Sequence, residues 1–345
     1  MLPKAVFSLA LLVEATLAGP SRFPKYPVDL KFDELPDPRK VWAGAPGSRE
    51  EGLGRLVLLT DDLIRTTAAQ QVQTGQRVGL NWELTKLEYP SFGREPFQHK
   101  FVPILGGDAI DDLYTMNPQQ SSQWDGLRHW SMVEDEDSDR RVFYGGTTKE
   151  EIMNGTTDRI GINYWAQEGI NGRGVLIDYV SWAEEQGIEY DAFSTHPIPL
   201  KDILHIAECS NITFQRGDIL LVRSGMTKMW EEEMDLAAKI AYSKSPQPRH
   251  VGVEATMDVV RWLWDAGFAA VAGDSVSFEV WPPSSEFSLH DYILAGWGMP
   301  LGEMFDLERL AEVCKEQNRW TFFFTSAPFN MPGGVSSSPN AQAIF

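Results

Sequence analysis

The sequence has very little cysteine. Its 345 residues include only two, Cys209 and Cys314. At most one disulfide bridge can form, so a fold held together by several disulfides is excluded, and so is a zinc site built from thiolates. The chain is long enough to bury a large core without such cross-links. A metal ion in this protein would therefore serve chemistry rather than stability.

Basic residues are also scarce. The sequence has 30 Lys and Arg residues against 49 Asp and Glu residues, which gives a formal net charge of −19. A surface of this sign repels phosphate backbones and anionic lipids, so we expect neither a nucleic acid nor a membrane as a partner. After the N-terminus, no apolar run is long enough to span a bilayer. The 12 Trp and 18 Phe residues favour a large core or a cleft that takes flat organic molecules.

The N-terminal segment has features of a secretory signal. Lys4 precedes an apolar run over residues 5–13, and a small residue, Ala18, stands where cleavage would occur. Glu14 is unusual for such a segment. Residues 1–18 are therefore a possible signal peptide, and both a cytoplasmic and a secreted location stay open.

Local patterns along the rest of the chain predict a mixed α/β fold. Residues 19–50 are rich in Pro and Gly and predict an extended N-terminal arm, whereas residues 51–345 show no break and predict one domain. Short strands separated by loops permit a barrel. The predicted helices cover residues 61–73, 180–186 and 253–265; the predicted strands cover residues 174–179, 218–223, 268–274 and 321–325; residues 327–339 are predicted to be loop.

Two of the six histidines are candidates for chemistry. His99, His196, His205 and His250 have no potential ligand nearby in the sequence, and a structural or surface role is expected for them. His129 follows Asp125 by four residues in a segment with many hydrogen-bonding side chains. His290 precedes Glu303 across a Gly-rich turn that can bring the two together. A divalent ion would be neutralised by the carboxylates and would leave His129 free for proton transfer.

Several passages together carry a resemblance to a known family. They are Phe32-Asp33-Glu34-Leu35-Pro36, Ser121-Ser122-Gln123-Trp124-Asp125-Gly126-Leu127-Arg128-His129, Gly172-Arg173-Gly174-Val175-Leu176, Gly217-Asp218-Ile219-Leu220, Leu263-Trp264-Asp265, Ala272-Gly273-Asp274, Leu289-His290 and Gly302-Glu303. With them the chain resembles the putative cyclase superfamily, which includes kynurenine formamidase (arylformamidase, an enzyme of tryptophan catabolism) and isatin hydrolase. It looks most like the fungal branch of that superfamily.

The resemblance implies a set of site residues. The hydrolases of the superfamily carry a metal motif, His-x-Gly-Thr-His-x-Asp-x-Pro-x-His, that falls on residues 119–129. Asp125 then takes the place of the metal-bridging Asp, and His129 that of the acid/base His, so both are catalytic candidates. Gln119 and Gln123 stand where two His ligands are expected. The second set of implied ligands, His290 and Glu303 with Asp125, is intact.

The two glutamines leave the chemistry open. A Gln carbonyl is a weaker and harder donor than imidazole, so the site would favour Mn²⁺, Mg²⁺ or no ion over Zn²⁺. The first hypothesis is a hydrolase with one divalent metal, Mn²⁺ or Zn²⁺, that cleaves a C–N bond in an aryl formamide or a cyclic amide, or that opens a lactone. The second is a cyclase or dehydratase of secondary metabolism, with or without metal. A third is a catalytically silent protein that binds a small molecule.

The resemblance also bears on fold, assembly and substrate. It implies an α/β fold with a central, largely antiparallel, barrel-like sheet and outer helices, usually in a homodimer or larger homo-oligomer. A small aromatic substrate is expected. Its candidate contacts are Trp124 for stacking, Arg128 for a carboxylate product, and Asp274 and Trp281 as further pocket residues. A secreted carbohydrate-active enzyme is less favoured, because no motif pairs Glu279 with a second carboxylate across a sugar bond.

Overall fold

The computed structural model describes residues 23–135, 137–283 and 285–345. The possible signal peptide, residues 1–18, lies outside this part of the chain. The described part of the expected N-terminal arm has one 3₁₀ turn, Phe32–Glu34, before the first α-helix begins at Arg49. The arm packs on the domain, since the indole of Trp264 donates a hydrogen bond to the carbonyl of Leu30. No helix in the described ranges has the length and apolar character needed to cross a bilayer.

Strands and helices alternate along the chain. The strands are β1 Arg77–Gly79, β2 Gln98–Ile104, β3 Ala109–Thr115, β4 Gln123–Asp125, β5 Met132–Val133, β6 Arg141–Val142, β7 Ile170–Asp178, β8 Pro197–Ile198, β9 Ile219–Arg223, β10 Gly252–Val253, β11 Ala270–Gly273, β12 Leu301–Glu303, β13 Thr321–Ser326, β14 Ser336–Ser337 and β15 Ala341–Ile344. The α-helices are α1 Arg49–Leu53, α2 Asp61–Gln71, α3 Lys149–Met153, α4 Asn163–Glu168, α5 Tyr179–Gln186, α6 Leu200–Cys209, α7 Met226–Glu232, α8 Leu236–Ser243, α9 Met257–Asp265 and α10 Glu308–Gln317.

Nine strands form one curled, mixed sheet in the order β1-β15-β13-β7-β9-β11-β12-β4-β14. The central strands β7, β9, β11 and β12 run parallel to one another, because helices connect each to the next. The strands on both flanks pair antiparallel. The expectation of a largely antiparallel sheet is therefore wrong, while the mixed α/β class is confirmed.

Local predictions mostly hold, with two corrections. The helix predicted over residues 253–265 begins only at Met257, because the side chain of Thr256 accepts a hydrogen bond from the Val259 amide and caps it. Val253 belongs instead to β10. Within the loop predicted over residues 327–339, β14 pairs with β4 and covers its outer edge. Both differences arise from pairings between distant segments.

The register between β4 and β12 determines which side chains meet. Gln123 pairs with Glu303, Trp124 with Gly302 and Asp125 with Leu301. Because successive side chains of a strand point to opposite faces, Gln123 and Asp125 share one face with Glu303, and Trp124 lies on the other. These strands are buried.

Candidate active site

Three polar side chains meet where β4 pairs with β12. The amide nitrogen of Gln123 donates to Oε2 of Glu303 at 2.6 Å and lies 3.3 Å from Oδ1 of Asp125. All three side chains are buried. Because carboxylate oxygens can only accept hydrogen bonds from it, the NH₂ group of Gln123 must face the two carboxylates. One neutral amide thus links two acidic groups.

Gln119 and His129 extend this cluster. Gln119 lies in the 3₁₀ turn Pro118–Gln120, where its amide nitrogen donates to Oδ1 of Asp125 at 3.0 Å and lies 2.8 Å from Nδ1 of His129. The same NH₂ group therefore serves both partners, and it also lies 3.4 Å from Nε2 of the His129 ring. That Nε2 lies 3.6 Å from Oδ2 of Asp125.

His290 enters from another part of the chain. It precedes a π-helical turn, Asp291–Gly296, of the type often found at functional sites. Its Nε2 lies 3.3 Å from Oε1 of Glu303 and 3.8 Å from Oδ2 of Asp125. Its Nδ1 lies 2.8 Å from Oε1 of Glu279, a fully buried carboxylate that also accepts a hydrogen bond from the hydroxyl of Ser288. The sequence-based pairing of His290 with Glu303 is thus present in the structure.

Burial and neighbouring charges set the ionisation of the cluster. Burial raises the pKa of Asp125, but His129 and His290 outweigh it and hold that pKa below its usual value. Burial lowers the pKa of His129, which is therefore neutral near pH 7. Burial and the charge of Asp125 raise the pKa of Glu303 to about 7. Burial alone would lower the pKa of His290, but Glu279, Asp125 and Glu303 raise it well above its ordinary value.

The donor set fits a divalent cation. One ligand atom each from Asp125, His129 and His290 lies within 4.8 Å of the others, and Glu303 lies beside His290. Within the described residues, Oδ2 of Asp125 and Oε1 of Gln123 are buried without a hydrogen-bond donor. Such unsatisfied buried acceptors are costly, and an ion would satisfy them. Of the described residues, Asp125, His129 and His290 come close enough together to hold such an ion.

The predicted ligand Gln119 takes a different place. It directs its NH₂ group, not its carbonyl, at Asp125 and His129. In this orientation it is a hydrogen-bond donor to the cluster and cannot ligate a metal through oxygen. Gln123 also directs its NH₂ group at the carboxylates, which leaves its unpartnered oxygen as the only ligand atom it offers.

An aromatic cavity of about 310 Å³ opens onto the cluster. His129, His290 and Glu303 contribute its polar surface. Three aromatic side chains line its walls, namely Phe92, Trp130 and Trp281. The rings of Trp130 and His290 have centroids 5.0 Å apart. The cavity therefore has space for one small flat molecule against the acid/base groups.

Three of the four predicted substrate-binding residues lie outside this cavity. Trp124 is buried on the opposite face of β4 against Phe305 and Phe324, with Gly302 leaving room for its ring. The guanidinium of Arg128 donates to the backbone carbonyls of residues 157, 159 and 333. Of the four, only Trp281 lines the cavity.

Asp274 is occupied by the backbone of a neighbouring loop. Its carboxylate accepts hydrogen bonds from the amide and hydroxyl of Ser224 and from the amide of Gly225, at 2.6, 2.6 and 2.7 Å. It therefore ties the end of β11 to the segment after β9. Its position after an apolar strand predicted a site residue, but the tertiary structure makes it a structural acceptor.

Five cavity or support residues were not recognised as such from the sequence. Phe92, Arg94 and Trp130 belong to no motif, and nothing in their local pattern indicates a site. His250 was assigned a structural role; it does line the cavity, where Tyr242 and Ser277 hydrogen-bond both ring nitrogens and burial lowers its pKa to about 3. Glu279 was weighed as a carboxylate for sugar hydrolysis, and its contact with His290 was not predicted.

Comparison with known families identifies the chain. A family model described as putative cyclase matches residues 56–280, well over half of the sequence. The chain belongs to the putative cyclase family. No curated protein matches it.

Solved structures share its fold. The crystal structure of a novel cyclase is 25% identical, with a TM-score of 0.74, over 86% of this chain and 97% of that one. Isatin hydrolase A from Labrenzia aggregata, bound to benzyl benzoate, is 16% identical with a TM-score of 0.53, over 82% and 97% of the two chains. Isatin hydrolase A from Ralstonia solanacearum is 15% identical with a TM-score of 0.53, over 78% and 91%. The similarity to the two hydrolases concerns the fold alone.

Proposed function

We propose that this protein is a metal-dependent hydrolase that cleaves the C–N bond of a small aromatic amide, either an aryl formamide or a cyclic amide, or the C–O bond of a lactone. The observation that carries the proposal is the position of His129. Its Nε2 lies 3.6 Å from Oδ2 of Asp125 at the polar end of the aromatic cavity. The occurrence of isatin hydrolases among proteins with this fold supports hydrolysis of an aromatic substrate.

A divalent ion, when bound, would acidify a water molecule and polarise the substrate carbonyl. Asp125, His290 and Glu303 would hold it, and Glu279 would keep His290 oriented. Side chains of the protein would bind the substrate and transfer the protons. Trp130 and Trp281 would hold the aromatic ring, and His129 would face the bond to be broken.

Proton transfer would centre on His129. A water oxygen bonds to the carbonyl carbon and loses one proton to the neutral ring, which becomes an imidazolium beside the carboxylate of Asp125. The departing nitrogen or oxygen takes one proton from this imidazolium as its bond to the carbonyl carbon breaks, and His129 becomes neutral again. The amine or alcohol and the carboxylic acid then leave. Gln119 contacts the ring and holds it in place.

The test combines a substrate panel with one pair of variants. Formanilide, isatin and dihydrocoumarin probe the three bond types, with protein loaded with Mn²⁺ or Zn²⁺. We expect turnover of at least one probe and a loss of roughly 10²- to 10⁴-fold in His129→Ala. His205→Ala removes an exposed histidine and is the matched control. Inactivity of the loaded wild-type protein on all probes, or near wild-type rates in His129→Ala, would contradict the proposal.

Metal analysis separates this proposal from its alternative. The alternative is a metal-free cyclase or dehydratase, supported by the NH₂ groups of Gln119 and Gln123, which already donate to the carboxylates. In that reading Glu303, with its pKa of about 7, exchanges protons with His129. A stoichiometric ion lost in Asp125→Ala and Glu303→Ala supports the hydrolase, and no ion after soaking with Mn²⁺ supports the alternative. Tight binding without any turnover would indicate a silent binding protein.

A further inference from the structure

Arg94 places a positive charge in the wall of the cavity. Arg94 lines the space together with Phe92, Trp130 and Trp281. Nη1 donates to the backbone carbonyl of Gln119 at 2.6 Å, and the guanidinium carbon lies 5.5 Å from the centre of the Phe92 ring. Within the described residues, the guanidinium of Arg94 forms no ion pair and no second hydrogen bond, and the backbone amide of Arg94 donates separately to the carbonyl of Ser91. Most of its N–H groups are therefore available to a bound molecule.

Arg128 has a structural role in the same protein and provides a comparison for the hydrogen bonds of Arg94. Its guanidinium gives three hydrogen bonds to backbone carbonyls, at 2.9, 3.0 and 2.7 Å, and these use its donors inside the fold. Arg94 gives one. A guanidinium has five N–H donors in a planar fork that matches a carboxylate in two parallel hydrogen bonds. A partly buried cation without a counter-ion is unfavourable, and an anionic ligand removes that cost.

Arg94 is also close to the acid/base groups. Burial raises the pKa of Glu303 most, the charge of Asp125 adds to the rise, and the charges of His290 and Arg94 oppose it. The positive charge of Arg94 is therefore felt at the polar end of the cavity. A single molecule that spans the cavity can reach both Arg94 and His129.

The aromatic walls define the rest of the ligand. The rings of Phe92 and Trp281 meet edge to face, with centroids 6.5 Å apart. With Trp130 they form three sides of a slot for a flat ring. The molecule as a whole carries a charge of −19, which disfavours anions at long range. Arg94 is a local exception placed inside the slot.

We propose that the cavity takes an aromatic molecule that carries a carboxylate, and that Arg94 binds this carboxylate while the ring lies against Trp130 and Trp281. The proposal rests on the proposed function only where it calls this molecule the substrate. It names Arg94, not Arg128, as the cation that meets a carboxylate. Neutral aromatic amides would then be poorer ligands than aromatic acids of the same shape.

Isothermal titration calorimetry with 2-naphthoate and 2-naphthamide tests this directly. The two probes have the same ring and nearly the same shape, and only the first is charged. We expect the wild-type protein to bind 2-naphthoate roughly 10- to 100-fold more tightly than 2-naphthamide. Arg94→Met should abolish this preference, Arg94→Lys should keep part of it, and Arg65→Met, at an exposed arginine of α2, should not change it.

Three results would overturn the proposal: equal binding of both probes by the wild type, binding of neither, or a preserved preference in Arg94→Met. Circular dichroism and thermal melting establish that the Arg94 variants are folded. The acid preference should persist in His129→Ala, which the proposed function expects to be inactive. If the wild-type protein shows the acid preference but hydrolyses none of the amide and lactone probes, the carboxylate site is supported while the proposed function fails.

Discussion

Nδ1 of His290 lies 2.8 and 2.9 Å from the two carboxylate oxygens of Glu279. Burial alone would raise the pKa of Glu279, but His290 and the hydroxyl of Ser288 bring it below its usual value, so the carboxylate is ionised and accepts the Nδ1 hydrogen. This contact turns Nε2 of His290 towards Asp125 and Glu303. A buried carboxylate behind a histidine commonly fixes the tautomer and orientation of a metal-binding ring.

Replacement of this carboxylate should change the ionisation of His290. In Glu279→Gln the largest attraction that raises the pKa of His290 is lost, while the burial that lowers it remains. We expect that pKa to fall, which ¹⁵N chemical shifts of the imidazole measure as a function of pH. Turnover or metal affinity should fall by roughly 10- to 100-fold. Glu312→Gln, on the exposed side of α10, is the control, and an unchanged His290 titration in Glu279→Gln would refute this role.

Arg128 should matter for stability and not for ligand binding. Arg128→Met leaves three backbone carbonyls without their donors, two of them in the loops around residues 157–159. We expect the free energy of unfolding to fall by roughly 2–4 kcal/mol, measured by urea denaturation. The affinity for 2-naphthoate should stay within about twofold of the wild type. A large loss of affinity in a stable Arg128→Met protein would restore Arg128 as a ligand contact.

Asp274 should make stability fall as the pH rises. Burial raises its pKa from 3.8 to about 6, with a further rise from Glu308, and the donors of Ser224 and Gly225 only partly oppose this. Between pH 3.8 and about 6, Asp274 keeps its proton in the folded state but has lost it in the unfolded state. The contribution of this protonated carboxyl to the free energy of unfolding is therefore complete below pH 3.8 and is lost as the pH rises through about 6. The shift corresponds to roughly 3 kcal/mol.

The difference between wild type and Asp274→Asn isolates this titration, because the other titrating groups cancel. Tyr190, whose hydroxyl also senses Asp274, stays neutral over this range. The free energy of unfolding of the wild type should decline relative to the variant between pH 4 and pH 7. Parallel curves for the two proteins would show that Asp274 has an ordinary pKa.

The β2–β3 hairpin is the surface we expect to contact a second copy of the chain. Its apolar residues are unusually exposed, with 66% of Phe101, 59% of Ile110 and 53% of Leu113 accessible. A two-stranded ribbon of this kind is only marginally stable without a partner surface. Because the family resemblance implies a homodimer or larger homo-oligomer, we predict that Phe101→Ser with Leu113→Ser converts the protein to a monomer in sedimentation velocity. Met153→Ser, at another exposed apolar residue, should leave the assembly unchanged. A wild-type monomer would exclude the prediction.

Local pattern was enough to predict several of the helices and strands, though not most of them. The sequence predicted the strands β7, β9, β11 and β13 and the helices α2 and α5. These elements were predictable because neighbouring residues in the sequence show their hydrophobic periodicity. The sequence also indicated which residues could form the site, namely Asp125, His129, His290 and Glu303. Their assembly into one cluster followed only from the family resemblance, since spacing alone allows many such sets in so acidic a chain.

Only the tertiary structure decided the direction of the strands and the face that each side chain takes. Alternation predicts that Trp124 and Asp125 point to opposite sides, but which side carries the site depends on the register of β4 against β12. The sequence gives no reason to prefer Arg94 over Arg128, which lies within the motif. In the structure, Arg94 has free donors in a cavity, whereas Arg128 donates to three backbone carbonyls, because segments more than 200 residues apart are brought together around them. Strand pairing and hydrogen-bond partners are non-local properties, and they determine which residues of this sequence can reach a ligand.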